Sequence, residues 1–180
     1  LAEALRGGGH VLLTAFVDGA QSLGDAWQAL SGSPVGSPQA LNVLLPAFRM
    51  VGIMHAAGLV QNDLHLGNFL RTGDELFVID GDAVRSVSPG KALESRRATN
   101  NLAVLFAQLP LAWDSQRDAL IEAYLAGGGC CISDMAGLQH EVSRVRTWRL
   151  KDYLGKTVRD CTLFSVKRSA LRFVALRREE

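Results

Sequence analysis

Three cysteines stand in 180 residues, Cys130, Cys131 and Cys161, and none of their spacings is the two-residue gap of a zinc site. An odd number with no evident framework excludes a disulfide scaffold and fits a reducing cytoplasm. No uninterrupted apolar run approaches the roughly 18 residues of a membrane span, and no charged segment leads into an apolar one at the start. The expected protein is cytoplasmic, soluble or at most peripheral to a membrane. A GxGxxG phosphate loop is missing as well: Gly7, Gly8 and Gly9 read as a turn before a strand. The basic C-terminal segment has few aromatic platforms beyond Trp148 and Tyr153 and no recognised nucleic-acid motif, which argues against a nucleic-acid partner.

What is present is a core. At 48% hydrophobic, 180 residues can bury one domain or a large part of one. Charge is balanced in sum but not along the chain: residues 1–140 carry 8 Lys+Arg against 13 Asp+Glu, and residues 141–178 carry 11 against 3. The basic segment could face the acidic remainder of the fold, an anionic ligand or an anionic lipid surface.

The run His10 to Val17 reads as a strand. Ser37 and Pro38 open a helix whose Leu41, Leu44, Leu45, Phe48, Val51 and Met54 recur at three- and four-residue steps before Gly58. Short extended pieces follow, Leu59-Val60, Phe69 to Arg71 and Glu75 to Ile79, the last two joined by a hairpin turn at Thr72 to Asp74. Helices are expected over Glu94 to Leu109, over Asp114 to Leu125, and from Ser133 or Asp134 toward Tyr153; Cys161 to Val166 and Arg172 to Leu176 read as a hairpin or two strands.

Within this pattern, QNDLHLGNFL (Gln61 to Leu70) and FVIDGD (Phe77 to Asp82) concentrate Asp63, His65, Asn68, Asp80 and Asp82 on loops around the short hairpin. Phosphoryl transfer uses such a set: one Asp takes the proton of an attacking hydroxyl, while an Asn and a second Asp hold the magnesium that neutralises nucleotide phosphates. The protein-kinase catalytic loop has its Asn five residues after its Asp, as Asn68 follows Asp63, and its metal Asp across a hairpin, as Asp80 stands.

With MHAAGLVQNDLHLGNFL, FVIDGDAVR, NNLAVLFAQL and VLLTAFVDGAQSL, the sequence resembles the kinase-like phosphotransferases, and among them the lipopolysaccharide core (Kdo and heptose) kinase family. The resemblance spans roughly residues 10–110; KDYLGKTVRDCTLF is similar to tails of these kinases, more weakly. It implies an α+β protein-kinase-like C-terminal lobe, mainly helical with small β-hairpins, preceded by a hinge strand and with the N-lobe largely absent. Residues 1–24 would be the end of the N-lobe and the hinge, 25–140 the C-lobe with the catalytic loop, and 141–180 a basic extension. It further implies ATP and Mg2+, with Asp63 as catalytic base, Asn68 and Asp80 as metal ligands, and backbone groups of Phe16, Val17 and Asp18 against the adenine. The implied acceptor is a sugar hydroxyl of lipid A–core at the cytoplasmic face of the inner membrane.

The sequence departs from the family at Gln61, where His usually braces the loop, and at Gly81, where an aromatic residue usually follows the metal Asp. A Gly-rich loop, a strand Lys and a helix Glu before the hinge are missing, so the chain reads as a C-lobe cut from a longer protein that binds ATP poorly alone. Two other readings follow: a different small-molecule kinase, with an aminoglycoside or choline as acceptor, and a catalytically inactive scaffold. His55 reads as a core residue, and Asp18, Asp25 and Asp74 as hinge, cap or turn residues. For the tail, a solvated basic helix needs least explanation; the functional reading is contact of Arg144, Arg146, Arg149, Lys151 or Arg159 with an anionic sugar.

Overall fold

A computed structural model describes residues 17–169 and 172–178. The expected strand at His10 to Val17 and the adenine contact at Phe16 therefore lie outside the described residues, apart from half-buried Val17, whose carbonyl accepts from Ala20 N across a turn at exposed Asp18 and Gly19. The architecture is α+β and about half helical. In chain order it comprises β1 (Gln21–Ser22), α1 (Leu23–Ala29), α2 (Pro38–Ala56), β2 (Leu59–Gln61), β3 (Phe69–Thr72), β4 (Glu75–Val78), β5 (Val84–Ser86), α3 (Ser95–Phe106), α4 (Arg117–Ala126), α5 (Met135–Thr157), β6 (Phe164–Ser169) and β7 (Arg172–Arg177). All strand pairs are antiparallel: β1-β3-β4, β2-β5 and β6-β7.

α2 is the axis of the core. The Ser37 hydroxyl accepts from Ala40 N at 3.4 Å and Pro38 occupies the first turn, so the start is set by a cap and a residue with a preset φ. Val43, Leu44, Ala47, Phe48 and Val51 are buried, with Phe48 and Phe106 rings 4.7 Å apart. Pro46 lies inside the helix and cannot donate to the Asn42 carbonyl one turn back. Arg71 of β3 takes that carbonyl instead, at 3.1 Å, tying the hairpin to the helix. α2 and α4 cross with backbones in contact: a Cβ on Gly52 would stand 2.1 Å from the Tyr124 carbonyl, and one on Gly127 2.1 Å from the Arg49 carbonyl.

The expected α2, the β3–β4 hairpin, α3, α5 and the terminal hairpin all form, with small shifts of boundary. The helix expected from Asp114 starts later. Leu111–Gln116 winds as 3-10 turns behind Pro110, and Asp114 is drawn outward onto Arg146 and Arg117, so the α-helix begins at Arg117. Helix α1 and the β2–β5 ladder were not expected from the sequence. The divisions at 24/25 and 140/141 both fall inside helices, α1 and α5, which run through them unbroken. Among the described residues, no helix is long and apolar enough to cross a membrane.

Candidate functional site

Two segments far apart in sequence are clamped together here. β2 pairs with β5 so that Gln61 faces Val84, and Asn62 N donates to Ala83 O at 3.0 Å just beyond the ladder. Ile79 N donates to Asn68 O at 2.9 Å, and the buried Gln61 side chain donates to the carbonyls of Ile79 and Asp80 at 3.3 and 3.2 Å. The loop bearing Asp63 and the loop bearing Asp80 are thereby one unit.

Alternation within the first loop decides what reaches solvent. Leu64, Leu66 and Phe69 are buried, anchoring the segment in the core, while Asp63 between β2 and Leu64 projects outward with its side chain 69% exposed. Gln108, past the end of α3, accepts from Leu66 N at 3.1 Å and donates to Leu64 O at 2.9 Å, so one amide holds both sides of His65. The 3-10 turn Leu66–Asn68 is covered by the start of α1, where Gly24 lies so close that a Cβ would stand 3.0 Å from Gly67. Ser22 caps that helix through Gly24 N at 3.0 Å.

The side chains that emerge are a carboxylate cluster. His65 Nε2 lies 3.7 Å from Asp63 Oδ2. Asn68 is buried and donates from Nδ2 to Asp63 O at 2.8 Å; among the described residues its Oδ1 makes no hydrogen bond. Asp80 is held in the left-handed region, φ 62° and ψ 52°, the only non-glycine residue with positive φ among those described. A strained backbone of that kind is retained where surrounding structure over-determines it, often at functional sites. Asp80 shares a hydrogen bond with Asp82, which raises its carboxyl above the ordinary range, helped by desolvation and by the charges of Asp82 and Asp63; the same bond lowers Asp82.

Asn68 Oδ1, Asp80 and Asp82 offer oxygen donors only, the set that suits a hard divalent cation such as Mg2+, and a cation there would relieve the crowding of like charges. Among the described residues there is no cluster of three or more His, Cys, Asp or Glu with metal-holding geometry, so phosphate or water oxygens would have to complete any such shell. A hollow of about 380 Å³ near Trp27, Leu30, Val35 and Trp113 contains none of these residues; the cluster sits on an open surface.

Below the site runs a buried polar chain that the motif alone does not announce. Tyr124 OH lies 3.1 Å from His55 Nδ1, His55 Nε2 3.0 Å from Asn101 Oδ1, and Asn101 Nδ2 donates to Gln61 O at 2.9 Å. The amide orientation of Asn101 makes its oxygen the acceptor, so His55 is protonated on Nε2 and accepts at Nδ1 from Tyr124. Burial lowers the His55 pKa and raises that of Tyr124, keeping both neutral. The sequence does expose this chain weakly, as polar residues within helices that are otherwise apolar on one face.

No protein-family model matches the chain, and a search of curated proteins finds no match either.

Proposed function

We propose that the chain is the C-terminal lobe of an ATP-dependent kinase acting on a sugar hydroxyl, with lipopolysaccharide inner core as acceptor. The observation that carries this reading is the clamped pair of loops, which gathers Asp63, Asn68 and Asp80 in the order and spacing that phosphoryl transfer requires. Asp63, exposed and backed by Asn68 through its own carbonyl, would accept the proton of the acceptor hydroxyl as that oxygen bonds to the γ-phosphorus and the bond to the departing diphosphate breaks. Asn68 and Asp80 would hold Mg2+, which when bound neutralises charge on the phosphate oxygens. Backbone groups of Val17 and Asp18 would lie against the adenine.

Gln61 bears on the competing reading of an inactive scaffold. A loop left unbraced at that position would favour inactivity; the Gln61 amide makes two hydrogen bonds to the segment carrying Asp80, so the brace is supplied.

The test is γ-phosphate transfer from ATP to dephosphorylated core oligosaccharide by the full-length protein, beside Asp63→Asn and Asp80→Asn. Each substitution should lower kcat by about 10²–10⁴-fold with the fold intact by circular dichroism. Transfer to an aminoglycoside or choline in place of the oligosaccharide would move the substrate; absence of both ATP binding and transfer would establish the inactive scaffold.

A further inference from the structure

The backbone on either side of Asp63 is held by two side-chain amides. Before it, the peptide between Gln61 and Asn62 is fixed at both of its polar atoms: Asn62 N donates to Ala83 O at 3.0 Å, and Gln61 O accepts from Asn101 Nδ2 of α3 at 2.9 Å. After it, Gln108 donates to Leu64 O at 2.9 Å and accepts from Leu66 N at 3.1 Å. Asn101 and Gln108 are seven residues apart in sequence, about two helical turns. Between these two holds only the Asp63 side chain stands free in solvent.

The Asn101 hold is itself oriented. A flipped amide would turn its oxygen toward the Gln61 carbonyl and lose the bond, two acceptors then facing each other. His55 works against the flip, because its Nε2 lies 3.0 Å from Asn101 Oδ1 and carries the ring proton. That tautomer is set from the other side. Tyr124 OH lies 3.1 Å from His55 Nδ1, and its oxygen already accepts from Cys130 N at 3.2 Å, which leaves its proton for the ring. His55 and Tyr124 are both buried in the core.

We infer that Asn101 is a positioning residue for phosphoryl transfer, fixing the place of Asp63 through the Gln61 carbonyl, with Tyr124 and His55 setting the direction of its amide. The inference rests on the kinase reading of Asp63 and deepens it. Asn101 acts through the backbone and takes no proton. Its reach into the reaction is geometric: Asp63 has to stand within hydrogen-bond distance of the acceptor hydroxyl, and a misplacement of about 1 Å costs on the order of 10²-fold in rate.

The experiment is a double-mutant cycle in the full-length protein, with wild type, Asn101→Ala, Asp63→Asn and the double variant assayed for transfer from ATP to dephosphorylated core oligosaccharide. Asn101→Ala should lower kcat about 10- to 100-fold with KM for ATP unchanged. With Asp63 already replaced, the position of that side chain no longer matters, so the same substitution should change the residual rate by less than about threefold. Asn101→Asp keeps an oxygen toward His55 and loses the donor to Gln61 O; it should match the Ala variant in kcat, and it carries the cycle if Asn101→Ala does not fold. Amide exchange gives a readout without turnover: Asn62 and Asn68 should exchange about tenfold faster in the Asn101 variants while α2 keeps its protection. An unchanged kcat, or an equal loss in both backgrounds, would overturn the positioning role and leave the kinase standing. A wild type that transfers no phosphate removes the kinase, and exchange then decides the hold alone: faster exchange at Asn62 keeps it and unchanged exchange overturns it.

Discussion

Gln61 shows how one buried side chain can tie two loops together. Its amide donates to the Ile79 carbonyl and to the Asp80 carbonyl, which also accepts from Ala83 N, while its Oε1 is buried with no partner among the described residues. Gln61→Leu would remove both hydrogen bonds that tie β2 to the segment carrying Asp80 and should cost about 1–3 kcal/mol, read as a lower urea midpoint. Gln61→His, whose ring N–H can donate to the same carbonyls and which carries no orphaned amide oxygen, should stay within about 1 kcal/mol of wild type. A Leu variant as stable as wild type would show that the clamp does not depend on this amide. His55 gives a second prediction at this scale. Its folded pKa lies below the ordinary 6.5, so the unfolded chain binds the extra proton first. The stability it protects is complete above pH 6.5 and falls as the pH drops from there toward the folded pKa, because a second ring N–H would face the Tyr124 hydroxyl that donates to it. The urea midpoint should therefore decline between pH 7.5 and 5, and His55→Gln should flatten that decline; a slope unchanged by the substitution would place the titrating group elsewhere.

Glycine acts with opposite sign on different helices, which is a matter of how each helix is packed. At Gly52 an added methyl would stand 2.1 Å from the Tyr124 carbonyl, so α2 and α4 would have to part. Ala gains up to about 1 kcal/mol of helix propensity over Gly, but overpacking of this kind costs about 1–3 kcal/mol, and backbone cannot give way as a side chain can. Gly52→Ala should be destabilising. At Gly155 on α5 nothing lies within 4 Å of an added Cβ and φ is not positive, so Gly155→Ala should stabilise by about 0.5–1 kcal/mol. Thermal melts of the two variants should move in opposite directions, and a shared sign would refute the packing argument. The same elements show what sequence could and could not reveal. The ends of α2 and the hairpin turn were legible because caps, Pro38 and Gly73 act on adjacent residues. The β2–β5 ladder was not: its partners are separated by the whole hairpin, and three-residue strands carry too little pattern to show. Asp63, Asn68 and Asp80 stand out by spacing, whereas the side-chain bonds from Gln61 and Gln108 that clamp their loops run between distant segments and leave no local pattern.

At the scale of the molecule, the ion pair that joins the acidic and basic segments among the described residues is Arg146–Asp114. The basic extension is continuous with the core, because α5 begins at Met135 under an Asp134 cap and buries Leu138 and Val142 before any excess of cations appears. From Trp148 onward the helix leaves the core, with Trp148, Leu150, Tyr153 and Leu154 all exposed. What fixes its angle is Arg146. Its guanidinium meets Asp114 at 2.8 and 3.1 Å and the Leu109 carbonyl at 3.1 Å, reaching across to the 3-10 segment behind α3. That pair, with Gln139 and Arg117 beside it, holds the Asp114 carboxyl below its ordinary range. The sign follows: the contribution of the joint is present above the ordinary carboxylate pKa near 3.8 and is lost as pH falls through the lower folded value. Arg146→Met keeps much of the apolar stem and removes the charge, so the loss is local rather than global. Amide exchange in α5 after residue 146 should speed up by about tenfold or more while α2 keeps its protection, since each 1.4 kcal/mol of a charge-assisted bond is a factor of ten in opening. If α5 and α2 lose protection equally, the joint is part of the global core and α5 has no independent attachment for Arg146 to set.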